Sequence, residues 1–366
     1  MTLHLYFARR FLAAFLGTFL TFAVMLTLID MLEQIRLFDM AEIGFLEILR
    51  LTLLNMPAGL YRILPLITIL ASVILFLSLA RSSELVVTRA AGRSALRSLV
   101  SPVAVAALLG VLAVAAMNPI VAATAKQYEI IANRYNQSSG SVLSIGGDAL
   151  WLRQGGADGQ TVIRATAASL DGTELKGVSF VGLAPDGTPA YRIEAAAARL
   201  VPGAWEIRDA KEWRFDGESA NPEKSSVSAQ GMSLASDLTR ERIRDSFGTP
   251  SSIPIWDLPG FIAQLEASGF SARTHRVWLQ MELAMPLLLA AMVMMGAGFT
   301  MRHVRFGRTG IMVLLALMMG FAVFFIRNFA QVLGERGQIP VELAAWSPPV
   351  AAMLLSLGLL LHLEDG

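Results

Sequence analysis

Six long apolar runs, three on each side of a polar middle, set the architecture open to this chain. They are Phe11 to Met31, Leu60 to Ala80, Leu99 to Met117, Val277 to Phe299, Gly310 to Phe325 and Val341 to Leu361. A helix crossing the hydrocarbon core needs about 20 predominantly apolar residues at roughly 1.5 Å rise each. The fifth run is the shortest, and it extends toward Val332 by taking in Arg327 and Asn328 near an interface. Charged residues make up only 16% of the 366, too few to clothe a soluble protein of this size, so the class is integral membrane.

Arginine placement orients the spans. With the N-terminus inside, the cytoplasmic segments hold Arg9, Arg10, Arg81, Arg89, Arg93, Arg97, Arg302, Arg305 and Arg308. The opposite segments are acidic or mixed, with Glu33, Asp39, Glu42 and Glu47 against Arg36, Arg50 and Arg62, then Glu335 and Glu342 against Arg336. The reverse topology places nine arginines outside, against the preference of Lys and Arg for cytoplasmic loops. Both termini are therefore expected in the cytoplasm, and the polar middle outside. Arg9 and Arg10 before an apolar stretch resemble a signal peptide, but the stretch is too long for an h-region and no small-residue cleavage site precedes Asp30. An uncleaved first span is the better reading.

From about Ile120 to Arg276 the periodicity drops toward two, and Gly/Asp turns recur at Gly146-Gly147-Asp148, Asp171-Gly172, Pro185-Asp186-Gly187 and Pro202-Gly203. Between them lie strand-like pieces, among them Ala149–Arg153, Thr161–Arg164, Lys176–Leu183, Ala190–Glu194, Ala196–Val201, Ala204–Arg208 and Glu212–Phe215. Short strands with such turns predict an all-β sandwich or roll, with Leu150, Leu152, Val162, Phe180, Ile193 and Ile207 facing inward. They either fill a core or line a groove. Helical connectors are expected at Ile120–Tyr135 and Leu258–Ser268. The predicted organisation is residues 1–119 with three spans, 120–276 with the β-domain, and 277–366 with three more.

Catalytic patterns are missing. The four histidines form no HExxH and no helical ligand pair, there is no GxSxG, and the absence of cysteine rules out thiolate sites and disulfides. No metal site or cofactor is expected in this chain. Nor is there a GxxxxGK[ST] loop, so if ATP powers the protein another polypeptide binds it.

One short segment stands apart, Arg81 to Arg97, between the second and third spans. Ser82 or Ser83 suits a helix cap, Glu84 the positive end of the helix dipole, and Gly92 a turn or close approach. A helix over about 82–95 lying along the membrane reads either as a positive-inside anchor or as a docking helix.

The run Ser83-Glu84-Leu85-Val86-Val87-x-x-Ala90-x-Gly92 resembles the cytoplasmic coupling helix of the LptF/LptG permeases, which export lipopolysaccharide. The resemblance covers the whole chain. Arg308-Thr309-Gly310, Gly320-Phe321, Asn328 and Ala344-Ala345-Trp346-Ser347-Pro348 are more similar to the LptG branch. It implies an ABC transporter permease in the inner membrane of a Gram-negative bacterium. The implied partners are an LptB-like ATPase dimer, an LptF-like permease, and LptC-like and LptA-like periplasmic jellyroll proteins. The β-domain would be a jellyroll joined to theirs, and Ser83, Glu84, Leu85, Val86, Arg89 and Gly92 would couple to the ATPase, Glu84 meeting a basic residue there. Lipopolysaccharide and membrane lipid are the implied ligands, and no nucleic acid is expected.

The residues near the outer interface bear on such a cargo. Arg36, Arg62 and Arg327 are candidate contacts for lipid phosphates, although arginines at span ends also snorkel. Asp30 and Glu282 are ionisable groups near or within spans, fitting either a contact with another helix, a gate or simple hydration. Pro65, Pro102 and Pro286 allow bends. Met281, Met285, Met292, Met294 and Met295 suit either acyl chains or a core. Two rival readings stay open beside the permease: a membrane-anchored periplasmic scaffold that does not transport, and, within the family, an LptF identity. A lipid-modifying enzyme would need an acid/base or metal cluster, which the sequence lacks.

Overall fold

The computed structural model describes residues 2–37, 44–90, 94–135, 143–146, 149–156, 159–169, 173–215, 222–224, 226–236, 238–239, 243, 249–267, 271–301 and 309–365. The chain divides into a helical unit, residues 1–135, 250–258 and 273–366, and a β unit, residues 136–249 and 259–272. The predicted domain boundary near Ile120 thus falls within a helix of the first unit.

In the helical unit α1 spans Thr2–Leu37, α2 Phe45–Arg62, α3 Leu64–Arg81 and α4 Glu84–Ala90. Helix α5 (Ala95–Leu112) runs through a π-helical turn, Ala113–Met117, into α6 (Asn118–Tyr135). Among the described residues, five helical stretches are long and apolar enough to cross a membrane: Leu3–Leu37, Leu64–Arg81, Leu96–Ala132, Gly310–Glu335 and Val341–His362. The fourth predicted span is broken. It consists of α8 (Arg273–Leu283) and α9 (Met285–Thr300), bent by 48° at Ala284, and counts as a sixth span if taken as one. Helices α10 (Thr309–Glu335) and α11 (Val341–Asp365) complete the unit.

Helix α9 is the centre, buried along most of its length and packed by α3, α5, α10 and α11. Small residues permit this. A Cβ on Gly296 would lie 1.8 Å from Ser72 Oγ on α3, and one on Gly110 of α5 would lie 2.5 Å from the backbone of Pro286. Met285, Met292, Met294 and Met295 are buried in this packing and Met281 is buried beside Val277 and Ala345, so all five are core and not an acyl-chain surface. Helix α1 buries one stripe, Phe7, Phe11 and Phe15, at a spacing of four. Its other face leaves Leu12, Leu16, Leu20, Val24 and Leu28 exposed, as a lipid-facing helix requires.

Two of the three prolines stand at breaks inside the predicted spans, Pro65 just after the α2–α3 break and Pro286 just after the 48° bend between α8 and α9. Each sits in the second position of a new helix, α3 and α9, where its missing N–H has no intrahelical acceptor to lose. Only Pro102 lies inside its helix, α5. Helix α2 was not predicted, because Glu47, Arg50 and Asn55 dilute its apolar face of Ile48 and Leu51, which is nevertheless buried.

The β unit holds β1 (Leu143–Gly146), β2 (Ala149–Gly156), β3 (Gly159–Ala168), β4 (Glu174–Leu183), β5 (Pro189–Val201), β6 (Ala204–Arg214) and β7 (Val227–Ala235), and α7 (Leu258–Ala267) belongs mostly to it. The strands form one antiparallel sheet in chain order, each paired with its predecessor. This is a meander. Among the described residues no strand crosses over another, since each pairs with its predecessor in the chain. The sheet is nonetheless rolled. In a flat sheet β2 and β7 would be about 24 Å apart at about 4.8 Å per strand. Yet Gln154 of β2 donates to the Ala235 carbonyl at 3.1 Å and accepts from Ser236 Oγ at 2.7 Å and Trp205 Nε1 at 3.2 Å. Among the described residues Leu152, Ile163, Phe180, Ile193, Trp205 and Ile207 are buried, and the rings of Phe180 and Trp205 meet edge to face at 6.2 Å. Val162, expected inward, is only half-buried because its neighbours Thr161 and Ile163 take the inner face, and the side chain of Leu150 lies outside the described residues.

Candidate functional site

Two constellations gather chemistry in the helical unit, one at the α3–α4 turn and one inside the bundle.

The α3–α4 turn is tight. Ser82 closes α3 by donating its N–H to the Ser78 carbonyl, and Ser83 takes φ 60°, a left-handed conformation costly for a residue with a Cβ. Its carbonyl accepts from Val86 and Val87, which starts α4. The expected serine cap is replaced by another use of the hydroxyl, since Ser82 Oγ donates to Glu84 Oε1 at 2.7 Å. That carboxylate also accepts from Arg10 Nη1 at 2.7 Å and, on its other oxygen, from Tyr6 Oη at 2.8 Å. The Arg10 guanidinium lies over the Tyr6 ring, 5.4 Å from its centroid. Partial burial pushes the Glu84 carboxyl up, but the hydrogen bonds from Ser82, Tyr6 and Arg10, with the Arg10 charge, outweigh this and hold it below its ordinary value.

Helix α4 is two-faced. Leu85 and Thr88 are 6% and 7% exposed, Leu85 entering the main core, whereas Val86 and Val87 are 48% and 68% exposed. Of the residues singled out from the sequence, Ser83, Glu84, Leu85 and Val86 therefore have distinct jobs. Gly92 and the side chain of Arg89 lie outside the described residues, as do Arg93, Arg302, Arg305 and Arg308.

The second constellation sits where three helical irregularities meet: the α2–α3 break at Ile63, the α8–α9 break at Ala284 and the π-helical turn before Asn118. Tyr61, just before the first break, donates its hydroxyl to Glu282, just before the second. Glu282 is 0% exposed, Arg327 of α10 is 8% exposed and close enough to interact with both side chains, and Asn118 stands within reach of Tyr61 and Glu282. Asn118 Oδ1 also accepts from the Ile255 N–H at 2.9 Å, and Trp256 Nε1 donates to the Ala115 carbonyl of the π-helical turn at 3.2 Å. The Tyr61 hydroxyl satisfies one Glu282 oxygen, whereas the other, Oε1, is buried without a hydrogen-bond partner among the described residues.

The three candidate phosphate-binding arginines do not share one setting. Arg36 and Arg62 are exposed, whereas Arg327 is buried beside Glu282. Asp30 Oδ1 accepts from Asn55 Nδ2 at 2.7 Å, tying α1 to α2. Tyr6, Tyr61 and Asn118 were not singled out from the sequence, and Arg10 was read only as a marker of orientation. Only the spacing of four between Tyr6 and Arg10, one face of a helix, offered a signal. An apolar cavity of about 280 Å³ opens between α1 and α5, lined by Phe15, Phe19, Leu64, Leu109 and Met117 among others.

The family model described as lipopolysaccharide export system permease LptF/LptG matches residues 5–362. The chain is 25% identical over 320 residues to the lipopolysaccharide export system permease protein LptG of Escherichia coli strain K12, covering 85% of this chain and 84% of that protein. The LptG of Escherichia coli O6:H1 strain CFT073 matches to the same extent. With the spans, the turn helix and a match over nearly its whole length, the chain belongs to the LptF/LptG family of lipopolysaccharide export permeases.

Proposed function

We propose that the chain is the LptG-like subunit of an inner-membrane ABC transporter that extracts lipopolysaccharide from the outer leaflet and passes it toward a periplasmic β bridge. A separate LptB-like ATPase dimer supplies the energy, and an LptF-like permease forms the other half of the membrane pathway. LptC-like and LptA-like proteins continue the bridge from the β unit. Both termini and α4 face the cytoplasm, and the β unit faces the periplasm, as the arginine distribution requires. In this reading α4 is the coupling helix, Arg36 and Arg62 meet lipid phosphates, and the apolar cavity beside α1 takes acyl chain.

The observation that carries the reading is the outward pair Val86 and Val87 on a short helix anchored by Leu85, in a chain without a nucleotide-binding loop. An apolar pair facing the cytoplasm beside a membrane is what a soluble motor would grip. Val87→Asp should abolish co-purification of the ATPase while leaving the permease in the membrane. A protein that is only an anchored scaffold would bring down no ATPase even as wild type, and mass spectrometry of the purified complex reads that outcome. Recovery of an LptF-like chain beside it supports the LptG assignment.

A further inference from the structure

The carboxylate of Glu84 is fully engaged within its own chain, and this changes what the residue does. Three donors from two other places converge on it: Ser82 Oγ at 2.7 Å, Arg10 Nη1 at 2.7 Å and Tyr6 Oη at 2.8 Å. Tyr6 and Arg10 stand one turn apart on α1, and the guanidinium stacks on the ring, so each donor holds the other in place. A single exposed ion pair would contribute little, because solvent screens it and two side chains must be ordered. A charge-assisted fork on both carboxylate oxygens is different: it fixes geometry as well as adding attraction. The left-handed Ser83 immediately before Glu84 keeps α4 from relaxing into a continuation of α3, and Leu85 buries the adjacent face.

We infer that Glu84, Arg10 and Tyr6 form an internal latch that transmits displacement of α4 directly to the cytoplasmic end of α1, so that Glu84 is a positioning residue facing its own permease and not the contact to the motor. The inference rests on α4 being the coupling helix, and it divides the labour on that helix. Val86 and Val87 receive the push, and Glu84 passes it to α1. Helix α1 is a suitable receiver. It is one continuous helix of 36 residues with a lipid-exposed face, so tilting its lower end moves its far end as a lever.

The test is a charge swap in the reconstituted complex with its ATPase. Arg10→Glu and Glu84→Arg should each cut lipopolysaccharide transport about tenfold or more while the ATPase still co-purifies and hydrolyses ATP. The double variant R10E/E84R should recover transport to within about threefold of wild type. If the double variant is as defective as E84R alone, Glu84 faces the motor and the latch is wrong. Loss of ATPase co-purification in Val87→Asp, with normal coupling in the swap, keeps the two assignments separable. Since the chain has no cysteine, spin labels at Leu5→Cys and Ala90→Cys report the α1–α4 distance without background. That distance should stay narrow through the nucleotide cycle, and Glu84→Gln should broaden it. An unchanged distribution in Glu84→Gln overturns the latch even if a swap variant misfolds.

Discussion

At the scale of single residues, the buried group Tyr61, Glu282, Asn118 and Arg327 shows how much depends on one neighbour. Glu282 is buried completely, and the Tyr61 hydroxyl donates to one of its oxygens, so each of the two polar groups depends on the other. Glu282→Ala leaves the buried Tyr61 hydroxyl without its acceptor and should destabilise the protein by about 1–3 kcal/mol. Thermal unfolding in detergent would show it as a clear fall in Tm. Replacing both members, Glu282→Leu with Tyr61→Phe, should recover most of the loss, since no buried polar group of the pair is then left unpaired. If the single variant is as stable as wild type, the group is not a structural pair. From the sequence, Glu282 and Arg327 read as two separate ionisable residues, 45 positions apart, each with its own function. Nothing in their spacing announced a partner, because long-range pairing between helices leaves no periodic trace.

At the scale of elements, the helices themselves were legible, whereas their breaks were not. A run of twenty apolar residues sums many weak preferences and survives individual exceptions. A break turns on one or two residues: Ile63 before Pro65, Ala284 before Pro286, or Ser83 in its left-handed conformation. The close crossing of α9 over α3 is decided just as locally. Gly296 faces Ser72, whose hydroxyl donates to the Ile69 carbonyl at 2.8 Å. Gly296→Ala would set a Cβ 1.8 Å from that oxygen and should cost about 1–3 kcal/mol, as overpacking does. Ser72→Ala in the same background removes the clashing atom and should return most of the lost stability, measured by the same melts. A G296A protein as stable as wild type would mean that α3 and α9 can separate freely. In the β unit, alternation and Gly/Asp turns foretold antiparallel strands. The rolled meander came from a contact no alternation predicts, Gln154 reaching the end of β7.

At the scale of the whole molecule, topology is the property most open to direct measurement. Cysteines introduced at Ala90 and at Asp186, both exposed, can be probed with a membrane-impermeant maleimide on intact spheroplasts and on inside-out vesicles. Asp186→Cys, in the β4–β5 turn, should label only in spheroplasts, and Ala90→Cys only in inverted vesicles. The opposite pattern would overturn the orientation and with it the docking role of α4. The sequence by itself determined what is additive along the chain: the long apolar helices, the strand-rich middle and the family. Only the tertiary structure decided which polar groups meet: Glu84 with α1, Glu282 with Tyr61, Arg327 away from Arg36 and Arg62, Gln154 across the roll. The reason is physical. Hydropathy is summed residue by residue against lipid or water, whereas a buried hydrogen bond exists only when two distant segments arrive within about 3 Å of each other in the right orientation.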